Sequence, residues 1–289
     1  NAITNRVDHL AYLPSISINP SMKISSVICS YNQGRYLEDA ILSVINQAYP
    51  EKELIVIDGG STDESVAIIK QYESHIDYWV SEKDNGQTHA INKGIRKATG
   101  DIIGWLNSDD IYMEGCFDTV MRAFQSSKNP NVVHGGRLLI DAETRLLGWS
   151  CKGKFKPEKY RYNICSETAF WRREFNEQGQ FLNESLSFAM DLEWFSRLYV
   201  EYGNFCYVNT FLGAFRCHEE NKSSTLLHVK ELEGPREWKR LFGRDMPTNG
   251  RFSIEFYLAL AQPKLTLFPK ILKRCFAKRK SIKPKLELK

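Results

Sequence analysis

No apolar run in the 289 residues approaches the length of a membrane span. Nothing near the N-terminus has the basic-then-apolar pattern of a secretory leader. Paired cysteines are missing too. Cys29, Cys116, Cys151, Cys165, Cys206, Cys217 and Cys275 are scattered, odd in number, and include no Cys-x-x-Cys. That excludes a zinc knuckle and argues for reduced thiols in a cytosolic setting, each a small apolar residue. No Gly-x-Gly-x-x-Gly follows the first strand pattern, and no Gly-Lys-Ser/Thr phosphate loop occurs, which disfavours a nicotinamide dehydrogenase and a P-loop enzyme. No segment repeats or is of low complexity. A dominant charge sign is also lacking: 39 Lys and Arg against 35 Asp and Glu give a net +4. That balance does not imply nucleic acid.

What is present is ordinary for a soluble globular protein, with 42% hydrophobic and 26% charged residues. Residues 1–21 show no period and are set aside as an arm or a foreign remnant; Met22-Lys23 opens the first strand pattern and reads as a native start. From there strand and helix patterns alternate four times. Strands are expected at Ile24–Ser30, Leu54–Ile57, Ile76–Val80 and Asp101–Leu106. Helices are expected at Arg35–Gln47, after Asp63, at Thr88–Ala98 and at Phe117–Phe124. Ser61 or Asp63 can cap the second helix. Polar residues follow each strand. This is the form of a doubly wound α/β domain with a mostly parallel sheet, helices on both faces and ligands at the carboxyl edge.

The chain is organised around Ile102-Ile103-Gly104-Trp105-Leu106, an apolar run ending in Asn107-Ser108-Asp109-Asp110. Two adjacent carboxylates at the end of a buried strand are costly unless something positive compensates them. A divalent cation carrying a phosphorylated ligand does so; the alternative is that Asp110 caps a helix starting near Tyr112.

The second half is less regular. Two strands are expected around Asp141-Ala142-Glu143, a short helix at Glu167–Arg173, and a helix from Phe188 to about Tyr202 stopped by Gly203. A strand at Asn204–Thr210, a polar loop at Phe215–Ser224, and helices at His228–Phe242 and Arg251–Ala261 follow. Residues 22–126 and 127–225 are taken as the donor and acceptor halves of one domain, and 226–289 as C-terminal helices with a basic tail.

Several stretches in register resemble the family-2 glycosyltransferases of bacteria. They are Ile28-Cys29-Ser30-Tyr31-Asn32, Val56-Ile57-Asp58-Gly59-Gly60-Ser61-Thr62-Asp63, Asn92-Lys93-Gly94, Leu106-Asn107-Ser108-Asp109-Asp110, and the later Ala189-Met190-Asp191-Leu192-Glu193-Trp194. The resemblance covers roughly 23–224. It implies the GT-A fold, a nucleoside-diphosphate-sugar donor (UDP-linked), Mg²⁺ or Mn²⁺, and inversion at the anomeric carbon. The chain departs from the usual pattern at Gly59, Asn107 and Met190.

The resemblance implies these roles. Asp58 accepts from the N–H of a pyrimidine base, beside Tyr31 and Asn32, with Asp84 and Asn92 also at the nucleotide. Asp58 and Tyr31 have turn readings as well. Asp110 is the direct metal ligand, Asp109 contacts ribose or supports the metal, and His218 completes the site. Hard carboxylate oxygens suit such a cation. Asp191 is the general base, which must reach the acceptor hydroxyl; Glu193 is second choice, and a plain N-cap is the alternative. Arg216 and Lys222 can clamp phosphates. Glu167, Trp171 and Arg172 can line the acceptor side.

From Lys264 to Lys289 ten Lys or Arg meet a single acid, Glu287. With Leu265, Leu267, Phe268, Ile271, Leu272 and Phe276 among them, this tail can lie on an anionic membrane. That would place the enzyme at the inner face of the plasma membrane, extending a glycan or lipid-linked saccharide in cell-surface or exopolysaccharide synthesis. Two other readings remain: a nucleotidyltransferase, whose Gly-rich catalytic loop Tyr31-Asn32-Gln33-Gly34-Arg35 fits poorly, and a silent nucleotide-sugar or glycan-binding module, against which the intact Asp191 speaks.

Overall fold

A computed structural model describes residues 22–247 apart from 152, 160 and 161. The N-terminal arm, the expected helix at Arg251–Ala261 and the basic tail lie outside the described residues. The elements run β1 (Ile24–Ser30), α1 (Gly34–Ile45), β2 (Lys52–Asp58), α2 (Ser65–Gln71), β3 (Tyr78–Ser81), α3 (Gln87–Lys97), β4 (Ile102–Asn107), β5 (Ile111–Tyr112) and α4 (Cys116–Phe124). They continue as β6 (Val132–Ile140), β7 (Leu146–Ser150), β8 (Ala169–Arg172), α5 (Glu174–Glu177), α6 (Met190–Tyr202), β9 (Phe205–Arg216), α7 (Lys222–Thr225) and α8 (Leu227–Phe242).

One sheet carries the strands in the order β3-β2-β1-β4-β8-β6-β9-β5, with β7 on β6. The first four are parallel. β8 then runs antiparallel between β4 and β6, β9 is parallel to β6, and β5 and β7 add antiparallel edges. All seven β1 residues are buried, as a strand covered on both faces requires. Side chains alternate across it. Val27 and Cys29, with Ile55, Ile57, Ile103 and Trp105, pack under α3, α6 and Trp238 of α8. Ile24 and Ile28, with Leu54, Val56, Ile102 and Leu106, pack under α1 and α4. Gly94 permits the close seat of α3, because a Cβ there would lie 2.3 Å from Val27 Cγ1.

Three expectations fail locally. The stretch expected to be a helix from Glu167 to Arg173 is a 3₁₀ turn at Ser166–Thr168 followed by β8. Ala169, Phe170 and Trp171 are buried on both faces between β4 and β6, which rewards an extended chain. The polar loop expected from Phe215 begins later, since β9 runs through Arg216, and it holds the short α7. Asp110 caps no helix: Ile111–Tyr112 is a strand, and α4 starts only at Cys116.

Candidate active site

The carboxyl ends of β1, β2 and β4 lie side by side, since Ser30 pairs with Asp58 and Cys29 with Asn107. The residues that follow these strands, with the ends of β3 and β9, build the site.

At its outer end Tyr31 is 63% exposed. Gly59 sits beneath it. A Cβ at 59 would stand 2.6 Å from Asp84 Oδ2 and 3.3 Å from Tyr31 Cδ2. The missing side chain therefore makes room for the Asp84 carboxylate against the Tyr31 ring, which accounts for the first departure from the family pattern. Asp84 is itself oriented by the Gly86 N–H, which donates to its Oδ1 at 2.8 Å. An exposed ring beside an oriented carboxylate can take a planar base with an N–H edge.

Asp58, expected at the base N–H, is engaged by its own turn and by β3. It is fully buried. Its Oδ2 accepts from the N–H groups of Gly60 and Ser61 and from Ser81 Oγ, and its Oδ1 from Ser61 Oγ. These bonds spend the carboxylate on the turn. Asn32, at φ 50°, likewise ties two turns together: its N–H donates to Ser61 Oγ and its Oδ1 accepts from the Thr62 N–H. Asp63 takes the Gly34 and Ser65 N–H groups, helping to start α1 and α2. Asn92 is buried on α3. Its amide bonds Leu182 O, the Leu182 N–H and Glu184, so it ties α3 to the segment before α6.

At the acidic turn, Asp109 and Asp110 diverge. The Asp110 N–H donates to Asn107 O, closing a tight turn. Asp110 is fully buried; its Oδ1 accepts from the Arg216 N–H and its Oδ2 from Asn107 Nδ2. Burial, then the charges of Asp109 and Glu167, push its carboxyl well above the usual range. Asn107 needs its amide here, because it donates to Asp110 while its Oδ1 accepts from Gln87 Nε2 and Trp105 Nε1. An aspartate could not donate, which accounts for the second departure.

Asp109 is the carboxylate that turns outward. Its Oδ2 lies 3.0 Å from His218 Nε2 and 3.2 Å from Asn221 Nδ2. The His218 side chain is only 5% exposed and packs on Tyr36, with ring centroids 4.8 Å apart. Thus the structure pairs His218 with Asp109, while Asp110 is held by Arg216 and Asn107. Among the described residues no group of three or more His, Cys, Asp or Glu forms a cage. A carboxylate and an imidazole converging from two elements fit a cation that keeps water and phosphate oxygens in its remaining positions.

Arg216 does not reach a phosphate. Its side chain is 1% exposed. It donates to Asp109 O, Asp141 O, Ala142 O, Thr144 Oγ1 and Asp39 Oδ2, with its guanidinium 4.9 Å from the Tyr36 ring centroid. It is the bracket that holds the acidic turn against α1.

Asp191 stands at the start of α6, its Oδ1 accepting from the Leu192 N–H at 2.7 Å. Burial raises its carboxyl to about 6, with the Glu167 charge adding and the Leu192 N–H and Tyr162 opposing. Glu167 is buried and paired with Arg137 Nη1 at 3.1 Å. Its charge raises the carboxyls of both Asp110 and Asp191. Glu193, the second choice for the base, is buried and bound by Arg197 and Arg240.

Trp171 and Arg172 do not join Glu167. β8 runs antiparallel to β4, so each step along it leads away from the carboxyl edge, and Arg172 pairs with Ile102 at the opposite end. Trp171 is a core residue against Trp194 and Phe195. Arg172 bonds Pro130 O and Asn129. Lys222 Nζ reaches Ser187 O at 3.4 Å.

Gln87, Arg137 and Tyr162 were not read from the sequence. Only Arg137 left a signal, as a lone cation inside the apolar strand pattern Val132–Ile140, which demands a buried partner.

The model for "Glycosyl transferase family 2" matches residues 25–187, more than half of the chain. Chondroitin synthase of Escherichia coli is 28% identical over 213 residues, 72% of this chain and 31% of that protein. The chain spans 65% or less of the length of the curated relatives it matches. The fold is similar to that of S. aureus TarS 1–349 in complex with UDP-GlcNAc, with a TM-score of 0.57 at 17% identity, over 92% of this chain and 77% of that one. It is also similar to that of the mannosyltransferase PcManGT from Pyrobaculum calidifontis in complex with GDP-Man and Mn²⁺, with a TM-score of 0.61 at 14% identity, over 93% and 79%. With a parallel sheet whose carboxyl edge carries the acidic turn, and with the family match running through that edge, the chain belongs to glycosyl transferase family 2 and has the GT-A fold.

Proposed function

We propose that this chain is an inverting, divalent-metal-dependent glycosyltransferase that uses a UDP-sugar and extends a glycan or lipid-linked saccharide. The observation that carries the reading is the acidic turn at the carboxyl edge of the parallel sheet. There Asp109, inside the family match, meets His218 from the loop after β9 at 3.0 Å.

The nucleobase stacks on Tyr31 with its imide N–H on Asp84. Asp109 and His218 would hold Mg²⁺ or Mn²⁺, which would supply positive charge to stabilise the departing diphosphate. Asp191 accepts the proton of the acceptor hydroxyl. That oxygen forms a bond to the anomeric carbon as the bond to the diphosphate breaks, and the bonding pair leaves with the diphosphate. A carboxylate tuned to about 6 is ionised near neutral pH and still basic enough to take a proton. Lys222, exposed at the cleft mouth, is within electrostatic reach of Asp84 and Cys29 and favours the diphosphate's charge. The UDP-GlcNAc and Mn²⁺ bound by the fold neighbours, and the polymer named for the E. coli relative, support the donor, metal and acceptor classes. No helix among the described residues is long and apolar enough to cross a membrane. The basic tail gives such an enzyme peripheral contact with an anionic surface.

The test is nucleoside-diphosphate release from a panel of UDP-, GDP- and dTDP-sugars with Mn²⁺, with and without saccharide acceptors. Release from a UDP-sugar, lost in Asp191→Asn, is the expected result. Release that is unchanged in Asp191→Asn removes the base from this account.

A further inference from the structure

We infer that Glu233, on α8, is a positioning residue for the catalytic base, and that α8 thereby sets whether the base segment is competent for transfer. This rests on the reading of Asp191 given above.

Helix α6 begins without a side-chain cap of its own: Ala189 stands at the cap position. Free N–H groups at a helix start need partners. For the cap residue Ala189, and for the two residues that lead into it, the partner comes from α8. Glu233 Oε1 accepts from the Ser187 N–H at 2.9 Å, and Oε2 from the N–H groups of Phe188 at 2.8 Å and Ala189 at 2.9 Å. Three consecutive amides thus converge on one carboxylate, which is 8% exposed. The last of them is two residues before Asp191. Lys222 Nζ holds the Ser187 carbonyl from α7.

The rest of α8 braces the same place. Arg240 donates to Glu193 in the first turn of α6, and Glu237 holds Arg240. Trp238 is fully buried in the core shared with α6. The Leu192 N–H fixes the Asp191 rotamer, and it follows directly on the segment that Glu233 clamps. Loss of the clamp leaves three amides unpaired and frees the first turn to move. A shift of about 1 Å at a reacting group costs on the order of 10²-fold in rate. The nucleotide side is built on other elements, at Tyr31, Asp84, Asp109 and His218, and stays intact.

The groups facing Asp191 are Glu167 and Tyr162, from the segment before β8, and the Leu192 N–H on its own helix. Those facing Glu233 are the three amides and Arg236, with Lys222 from α7. A looser first turn weakens the Leu192 bond, which lowers the Asp191 pKa, so the acid limb of kcat moves upward.

The test compares the wild-type chain with Glu233→Gln and Glu233→Asp. The proposal expects Glu233→Gln to bind UDP with Mn²⁺ within about twofold of wild type, which also reports that the fold is kept. It expects kcat to fall by about 10- to 100-fold, with the acid limb displaced to higher pH and faster hydrogen exchange at the amides of 187–189. Glu233→Asp, which keeps the charge on a shorter stem, recovers part of kcat. Wild-type kcat and pH profile in Glu233→Gln overturn the proposal, even if exchange is faster, because the clamp is then structural only. Asp191→Asn is measured alongside: if it turns over normally, the base reading itself has failed; if it is inactive while Glu233→Gln is normal, only the present inference has failed.

Discussion

Gly59→Ala is the smallest change that separates nucleotide recognition from folding. The new Cβ would stand 2.6 Å from Asp84 Oδ2, so the carboxylate must retreat to the 3.4 Å of ordinary contact, about 0.8 Å. It cannot simply swing aside without losing the Gly86 N–H at 2.8 Å. A hydrogen bond of about 2.8 Å lengthened by that amount reaches about 3.6 Å and is no longer one. A bond from a base N–H to an ionised carboxylate is worth about 1.5–3 kcal/mol, or roughly 10- to 150-fold in Kd. The backbone at 59 is not in the left-handed region, and the colliding group is the end of a side chain. Stability should therefore change by less than about 0.5 kcal/mol. Calorimetric titration with UDP and Mn²⁺, next to a thermal melt, reads both quantities. An unchanged melt with UDP affinity within twofold of wild type would refute Asp84 as the base acceptor.

Other perturbations address separate links. The Asp191 carboxyl lies near 6 and the base acts ionised, so kcat should fall tenfold per pH unit well below that value; a pH–rate profile flat through this range contradicts it. Arg216→Met removes a buried guanidinium and leaves its five protein acceptors short of a donor, so a destabilisation of about 3–5 kcal/mol is expected in urea melts. Trp171→Ala should cost about 3–5 kcal/mol of stability, whereas Arg172→Ala should leave kcat unchanged, since its side chain lies at the far end of β4; a large kcat loss in Arg172→Ala would contradict that placement. For Glu53, burial pushes the carboxyl up, but hydrogen bonds from Ser25, Thr99 and Lys23 outweigh it and the value is lowered. Its stabilisation is thus present above the unfolded carboxylate range and lost as pH falls through the depressed folded value; Glu53→Gln should flatten the acid limb of stability below about pH 5.

Strands that repeat a single local pattern were legible in the sequence. β1 lies where the run Ile24–Ser30 places it, and the turn residues after β1, β2 and β4 sit at one edge because parallel strands align their ends. The second half was harder because its pairings are non-local. β8 is a strand only because β4 and β6 lie on either side of it. Read without those neighbours, Glu167–Arg173 favours a helix, and that error placed Trp171 and Arg172 beside Glu167. Residue type likewise did not show which carboxylates are buried: Asp58 and Asp110 are enclosed by backbone and side-chain donors, whereas Asp84 and Asp109 are partly exposed. His218 was expected near the acidic turn by resemblance alone, and the length of β9 brings it to Asp109.

The pairing of Asp109 with His218 is the central claim, and Mn²⁺ reports on it directly. Pulsed electron paramagnetic resonance of Mn²⁺ with UDP should show a nitrogen coupling from an imidazole. His218→Ala should abolish the coupling and weaken UDP binding, Asp109→Asn should weaken Mn²⁺ binding, and the fold should survive in both. Folded wild-type protein that binds Mn²⁺ and UDP with no nitrogen coupling, or with a coupling that persists in His218→Ala, would contradict it.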